Sequence, residues 1–119
     1  MGASLVQRKR QRLANLAART SRIHLGTAIV PTYPRHPIAL ASQALVLGGL
    51  APGRFRLGIG PSHRPTIEGM FGIPMHKPLE HLREYLTILR GLLWDGATEF
   101  SGQHFQVKAQ LPAGIEPPK

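Results

Sequence analysis

One short stretch of the chain combines glycines in a strand-like pattern with side chains that can exchange protons or donate hydrogen bonds. In RFRLGIGPSH (54–63), Gly58 and Gly60 alternate with large apolar residues, and Ser62 and His63 follow at once. Glycine inside a strand often marks a place where a ligand or another backbone approaches closely. A histidine titrates near neutral pH, so His63 is a candidate acid–base or hydrogen-bonding group. The pattern predicts that a ligand meets the end of this strand.

Common catalytic and phosphate-binding motifs do not explain the stretch. His63 stands where a dinucleotide-binding G-x-G-x-x-G sequence needs its third glycine. Asp95 is the only aspartate and lies far along the chain from Ser62, so no Ser–His–Asp set can be argued. The chain has no cysteine, and its histidines show neither HExxH nor paired spacing. We therefore predict no metal site.

The sequence around this stretch predicts strands that alternate with helices. Residues 23–30 are rich in β-branched side chains and are bounded by Pro31, which predicts a strand, and residues 54–60 predict a second one. The other predicted elements are helices over 5–20, 38–50 (with Pro37 as the first helical residue) and 78–94, and a hairpin over 98–107. This order indicates a βαβ unit with parallel strands.

Each predicted strand has one apolar face and one face of small residues. The alternation predicts that the helices cover Leu25, Ile29, Leu57 and Ile59, and that Gly26, Ala28, Gly58 and Gly60 face the other way. Two parallel strands cannot shield two buried faces, so further strands are needed. Small residues opposite the helices suit the interior of a (β/α)8 barrel. Such a barrel takes roughly 250 residues, of which this chain is about half.

The last predicted helix carries its leucines at spacings of three and four residues. The stripe consists of Leu79, Leu82, Leu86, Leu89 and Leu93. This spacing places the leucines on one face of a helix. We expect that face to pack on the core.

The net charge of +9 is unevenly distributed over the 119 residues. Residues 1–22 contain several arginines and no acid, whereas the remainder is nearly balanced. The alternative is therefore a small basic binding protein that uses residues 1–22 on nucleic acid or an acidic surface. RKRQR (8–12) has no interleaved aromatic residues, which favours a solvated helix face and argues against nucleic acid as a partner.

The hydropathy pattern argues against membrane insertion and export. No apolar run approaches 20 residues, which excludes a spanning helix, and no continuous apolar segment follows the basic residues at the start, as a secretory signal requires. The lack of cysteine is typical of a reducing compartment. We expect a cytoplasmic protein without a membrane partner.

Three stretches in order resemble the luciferase-like monooxygenase superfamily, and among its branches the oxidoreductases that use the deazaflavin coenzyme F420. They are ARTSRIHLGTAIVPTYPRHP (18–37), APGRFRLGIGPSHRP (51–65) and PLEHLREYLTILRGLLWDG with EFSGQHFQV after it. The resemblance covers residues 13–112 and leaves a basic extension (1–12) and a proline-rich tail (113–119). It implies an α/β fold, a fragment of a TIM barrel. It also implies an oxidoreductase that transfers hydride or activates oxygen through FMN or coenzyme F420.

The resemblance also implies where a coenzyme and a small-molecule substrate bind. The implied coenzyme-binding residues are Ala28, Ile29, Val30, Gly60, Pro61, Ser62 and His63. The first two correspond to a backbone bulge, sometimes with a cis peptide bond, that supports the ring. Tyr33 and Glu68 are substrate-contact candidates on the adjoining loops. Because the other strands of the family's barrel have no counterpart here, we expect self-association or a complementing chain, and weak coenzyme binding by this chain alone.

Overall fold

A computed structural model describes residues 14–111, in which two parallel strand pairs with their helices precede an antiparallel hairpin. The predicted basic extension, most of the predicted first helix and the tail lie outside these residues. The elements are α1 (residues 14–19), β1 (Leu25–Gly26), β2 (Val30–Pro31), α2 (Pro37–Leu50), β3 (Phe55–Arg56), β4 (Ile59–Gly60), α3 (Pro78–Arg90), β5 (Ala97–Ser101) and β6 (Gln106–Gln110). Two π-helical segments, Pro65–Met70 and Gly91–Asp95, lie within the predicted long loop and at the end of α3.

The two parallel strands change register by one residue midway along their length. Leu25 pairs with Phe55 where β1 meets β3, whereas Val30 pairs with Ile59 where β2 meets β4. The first strand therefore advances five residues while its partner advances four. One extra residue on one strand is a β-bulge, which locally interrupts the ladder. Each predicted strand is accordingly divided into two short pieces.

The bulge corrects the prediction of which side chains face the helices. The alternation predicts that Ile29 shares the helix-facing side with Leu25, but Ile29 is 49% exposed. Val30 is instead 4% exposed and packs in the core beside Leu25. An extra residue moves every later side chain to the opposite face of a strand. The peptide bond between Ala28 and Ile29, inside the bulge, is cis.

Thr27 bridges the strands at the bulge with its side chain. Its hydroxyl accepts a hydrogen bond from the Gly58 amide at 2.8 Å and donates one to the Gly58 carbonyl oxygen at 2.9 Å. A Cβ atom on residue 58 would collide with the Thr27 carbonyl oxygen. What approaches Gly58 in this chain is therefore the neighbouring strand, and glycine permits that close approach.

Helix α2 begins at Pro37, as predicted, and packs one side on the core. The preceding His36 caps the helix, because its Nδ1 accepts a hydrogen bond from the Ile38 amide at 3.1 Å. The buried side comprises Pro37, Leu40, Ala41, Ala44, Leu45, Leu47 and Gly48. Val46 and Leu50 are exposed on the helix. The helix therefore covers the strands and still presents apolar side chains to solvent.

Helix α3 buries only part of the leucine face that the spacing predicts. Leu79 is 81% exposed and Leu86 is also exposed. The buried residues of the helix are His81, Glu84, Tyr85, Ile88 and Leu89. Three of these side chains are polar and find partners inside the fold, so burying them does not leave unpaired hydrogen-bonding groups. The prediction is therefore wrong for Leu79 and Leu86, whereas Leu89 and Leu93 are buried as the stripe predicts.

Glu84 ties the hairpin of β5 and β6 to α3. Its carboxylate accepts hydrogen bonds from the backbone amides of Gln103 (3.0 Å), His104 (2.9 Å) and Phe105 (3.2 Å). Burial alone raises the pKa of Glu84, but these three amides outweigh it and hold the pKa below its ordinary value. The hairpin itself is confirmed, with Phe100 opposite Val107.

The parallel strands form no larger sheet within the described residues. Each of the two parallel ladders contains two strands. Parallel sheets are ordinarily covered on both faces, and a two-stranded sheet is marginal by itself. The arrangement corresponds to part of a barrel. Among residues 14–111, no helix has both the length and the hydropathy that crossing a bilayer requires.

Candidate functional site

The carboxyl ends of β2 and β4 lie side by side, and one loop leaves each of them. Pro31 is paired with Gly60, and the amide of Thr32 donates to the Gly60 carbonyl oxygen at 3.0 Å. We call this edge, with the loops 32–36 and 61–77 that leave it, the mouth. In parallel α/β barrels, ligands bind at the carboxyl ends of the strands. The mouth is therefore the candidate site.

The residues implied as coenzyme contacts differ in exposure at the mouth. Pro61 and Ser62 are partly buried, and His63 is exposed. Ser62 has a φ of 65°, which is unusual for a residue with a side chain. The Val30 side chain is buried in the core, so the strand end presents Ile29 to solvent. The structure thus brings these positions to one edge, with Ile29 as its exposed apolar side chain.

Ile29 covers the glycine face of the second strand. A Cβ atom built on Gly60 would lie 2.6 Å from Ile29 Cδ1. Small residues at this point therefore leave room for a side chain of the adjacent strand. Because Ile29 is half exposed, it forms an apolar surface above Gly60 that a flat ligand could contact.

Both substrate-contact candidates lie on the mouth loops, together with an arginine that the sequence did not single out. Arg64 pairs with Glu68 at 3.1 Å, and Glu68 also accepts a hydrogen bond from the Met75 amide. Its hydrogen bond with Arg64 lowers the pKa of Glu68. Burial raises the pKa of Tyr33, while Arg64 lowers it and Glu68 raises it, so the three groups interact electrostatically.

A buried histidine beneath the mouth is the main feature that the sequence analysis missed. His81 Nε2 lies 2.8 Å from Thr32 Oγ1, and the His81 ring stacks on Tyr33 with centroids 3.8 Å apart. Burial lowers the pKa of His81 to about 4, with a smaller effect of His104 in the same direction and an opposing effect of Glu84. The ring is therefore neutral at pH 7. Its helical spacing with Glu84, Tyr85 and Ile88 could have revealed the buried face.

Three possible metal ligands meet where α3 approaches the hairpin. Donor atoms of Glu80, Glu84 and His104 lie within 4.8 Å of one another. His104 Nε2 is buried without a hydrogen-bond partner among the described residues and lies 3.9 Å from Glu80. Both oxygens of Glu84 already accept backbone amides, and Lys77 lies 3.9 Å from Glu80. The Glu84 carboxylate thus binds the hairpin backbone. The absence of a metal site stays a prediction.

A family model and curated relatives match most of the chain. The model of luciferase-like monooxygenases matches residues 11–119. An uncharacterized protein of Mycobacterium tuberculosis is 35% identical over 100 residues, which cover 81% of this chain and 29% of that protein. An F420-dependent glucose-6-phosphate dehydrogenase of Kineococcus radiotolerans is 33% identical over 95 residues, covering 77% of this chain and 28% of the enzyme. The chain thus spans less than a third of these relatives.

Solved structures share the fold of the described region. A monooxygenase from Streptomyces bottropensis matches with a TM-score of 0.79 and 25% identity, over 90% of this chain and 32% of that protein. The oxygenating constituent of 3,6-diketocamphane monooxygenase from Pseudomonas putida, in complex with FMN, matches with a TM-score of 0.72 and 23% identity. That match covers 88% of this chain and 30% of the enzyme. The matched part is therefore about a third of each solved protein, which is less than the half of a barrel that a typical length of roughly 250 residues predicts.

Proposed function

The chain belongs to the luciferase-like monooxygenase family, and we propose that its mouth forms part of the coenzyme site of a flavin- or deazaflavin-dependent oxidoreductase. One curated relative is named as F420-dependent, and a solved monooxygenase of this fold is in complex with FMN. Either coenzyme, once bound, would supply hydride transfer at a tricyclic ring, and reduced FMN would also supply oxygen activation. The substrate is then a small molecule that approaches the same mouth.

The observation that carries this proposal is the exposed Ile29 above Gly60 at the joined strand ends. A flat aromatic ring needs an apolar surface on one side and hydrogen-bonding groups at its rim. Ile29 offers the surface, and the backbone that follows Gly60 leads directly to Ser62 and His63. The residues present therefore fit such a ring.

The proposed roles of the side chains follow from their exposure and chemistry. Ile29 excludes water from one side of the ring, while Ser62 and the exposed His63 donate hydrogen bonds to polar atoms at its rim. The imidazole of His63 is the acid–base candidate of this proposal. Tyr33 and Glu68, with Arg64 beside them, contact the substrate from the loops.

A second chain completes the site in this proposal. The described strands form only two-stranded ladders, and the α3 leucines Leu79 and Leu86 are exposed. Exposed apolar surface and unpaired strand edges favour association. A second copy of this chain, or a complementing chain, would cover them. This oxidoreductase proposal takes precedence over the basic binding protein because family membership supports it.

The test is a titration of the 15N-labelled chain with FMN and, separately, with coenzyme F420, followed by amide chemical shifts. We expect weak binding, in the millimolar range, with shifts concentrated at Ile29, Gly60 and Ser62, because the described strands provide only part of a barrel mouth. Inorganic phosphate at the same concentration controls for binding of the phosphate group alone.

A matched pair of variants identifies the surface that binds. Ile29→Glu should abolish the shifts at the mouth, whereas Ile23→Glu, at another exposed isoleucine, should leave them unchanged. Shifts confined to Arg19 and Arg22 would favour the basic binding protein instead. Tight stoichiometric binding by the isolated chain would contradict the expectation that the site needs a second chain.

A further inference from the structure

A single imidazole beneath the mouth holds two consecutive residues of the first loop. His81 is 4% exposed, and its Nε2 lies 2.8 Å from the hydroxyl of Thr32, which is 1% exposed. The next residue, Tyr33, stacks face to face on the same ring, with 8° between the planes. Because the edge of the His81 ring binds Thr32 and its face stacks on Tyr33, both residues are fixed relative to α3.

Both partners of His81 also contact the second loop of the mouth, at its two ends. The amide of Thr32 donates to the carbonyl oxygen of Gly60, where that loop begins. The hydroxyl of Tyr33 donates to the carbonyl oxygen of His76 at 3.3 Å, where that loop ends. The contacts of His81 therefore extend to both loops.

We propose that His81 is a positioning residue that holds Thr32 and Tyr33 in register with the second loop and thereby sets the shape of the mouth. The effect on coenzyme binding rests on the proposed function, whereas the effect on the loops does not. Within residues 14–111, the hydrogen bond and the ring stacking of His81 go to Thr32 and Tyr33 and to neither Ile29 nor Ser62, so His81 acts through its partners. The chemistry requires a flat ring with a polar atom at its edge, which histidine provides.

Surrounding groups support this assignment. The other sides of the His81 ring face Tyr85, His104 and Phe105, with centroid distances between 5.3 and 5.9 Å. Burial among them lowers the pKa of His81 to about 4, so the hydrogen bond with Thr32 joins two neutral groups at pH 7. A buried neutral hydrogen bond of this kind orients its partners, because losing it leaves a buried hydroxyl unpaired.

Two substitutions separate the two interactions. His81→Phe keeps a ring for Tyr33 but removes the atom that bonds to Thr32. His81→Gln keeps a polar atom near the position of Nε2 but removes the ring. The double variant with Thr32→Val and His81→Phe removes both hydrogen-bonding groups, so it should recover part of the loss seen in His81→Phe alone. His24→Phe, at an exposed histidine that precedes β1 and lies outside the mouth, is the matched control.

The first readout is amide hydrogen exchange in the full chain without coenzyme. His81→Phe should speed exchange of the Thr32 amide by about tenfold, the equivalent of one lost hydrogen bond. The Ala51 amide, which donates to the Leu47 carbonyl in α2, should exchange as in the unmodified chain. Equal acceleration at both amides would show a purely global loss of stability and overturn the proposal. No acceleration at Thr32 would also overturn it.

The second readout is the millimolar FMN titration followed at Ile29 and Gly60. We expect His81→Phe and His81→Gln each to weaken the apparent affinity severalfold, while His24→Phe leaves it unchanged. Local release of Thr32 with unaltered FMN affinity would overturn the proposed effect on the mouth. If the unmodified chain shows no coenzyme shifts at all, the proposed function fails, and Thr32 exchange alone then decides the role of His81.

Discussion

The histidines of this chain differ in chemistry because they differ in surroundings. His63 is exposed on a mouth loop, where an imidazole can exchange protons with a ligand. His81 is enclosed by Thr32 and Tyr33 and is kept neutral by burial. Sequence motifs do not distinguish the two. Burial therefore determines which histidine is open to a ligand and which serves as a fixed hydrogen-bonding group.

Acidification should destabilise the fold through His81. Burial lowers its pKa from 6.5 to about 4, so the unfolded chain binds the proton more readily than the folded one. Stability from this group is complete above pH 6.5 and falls as the pH drops toward 4. The loss is at most about 3.5 kcal/mol, since each pKa unit between the folded and unfolded chains corresponds to roughly 1.4 kcal/mol. Urea unfolding at a series of pH values measures it.

The variant His81→Phe is the control for this pH dependence. It should be less stable at pH 7 but should lack the decline between pH 6.5 and 4. Glu84 contributes a separate loss only below its ordinary pKa of 4.5, since its folded pKa is lowered. An unchanged slope in His81→Phe would show that other groups cause the decline.

Two glycines of the same strand should respond differently to alanine. At Gly58 a Cβ atom would meet the backbone carbonyl of Thr27, which cannot move without disturbing the bulge. At Gly60 it would meet the end of the Ile29 side chain, which can change rotamer. We expect Gly58→Ala to cost about 2 kcal/mol or more and Gly60→Ala less than about 1 kcal/mol. Chemical denaturation compares them, and equal costs would contradict the structure.

At the level of elements, polar partners decide which face of a helix is buried. The leucine spacing of α3 predicts one face, yet the helix buries His81, Glu84 and Tyr85. The Tyr85 hydroxyl donates to the Arg35 carbonyl oxygen at 2.7 Å, and Glu84 receives three amides of the hairpin. These bonds connect the helix with the mouth loop and with the hairpin. Helix α3 thus holds the first mouth loop and the hairpin in fixed positions relative to each other.

Glu84→Gln should loosen the hairpin and destabilise the protein by about 1–3 kcal/mol. The amide side chain carries no charge and has one oxygen, so it cannot satisfy all three backbone donors. Glu80→Gln, one turn earlier on the same helix, weakens two contacts at 3.9 Å, with Lys77 and with His104, and should cost less than about 0.5 kcal/mol. Denaturation and amide exchange at Gln103 and His104 provide the measurement. Equal effects of the two substitutions would contradict this role of Glu84.

At the level of the whole molecule, the described region contains part of a barrel with open strand edges. It matches about 30% of the length of solved family members at TM-scores of 0.72 and 0.79. Leu79 and Leu86 are exposed near Arg83 and Arg90 on the outer face of α3. An apolar face of this kind on a helix is typical of a surface that another helix covers.

The chain should associate with itself as its concentration rises. Covering the α3 leucines and the strand edges removes apolar surface and unpaired backbone groups from water. The double substitution of Leu79→Glu and Leu86→Glu should shift the equilibrium toward monomer, whereas Gln106→Glu on the hairpin should not. Analytical ultracentrifugation over a wide concentration range measures this. A monomer at every concentration would contradict self-association.

The sequence by itself determined the order of elements, the parallel pairing, the hairpin and the family. The elements and their pairing follow from local patterns: β-branched runs, helical leucine spacing, and Pro37 at the start of α2; the family follows from the resemblance of three longer stretches. It also located the mouth, because the ends of parallel strands must meet at one edge. Those features depend on residues close together in the chain, where propensity and spacing act directly.

Only the tertiary structure decided which side chains line the mouth and which buried side chains hold its loops in place. The bulge between Leu25 and Val30 reversed the faces of the first strand, and an inserted residue leaves no trace in a pattern of alternation. The bond of Thr32 with His81 joins residues 49 positions apart. Such contacts depend on how separate elements pack, since burial and hydrogen-bond partners exist only once distant segments meet.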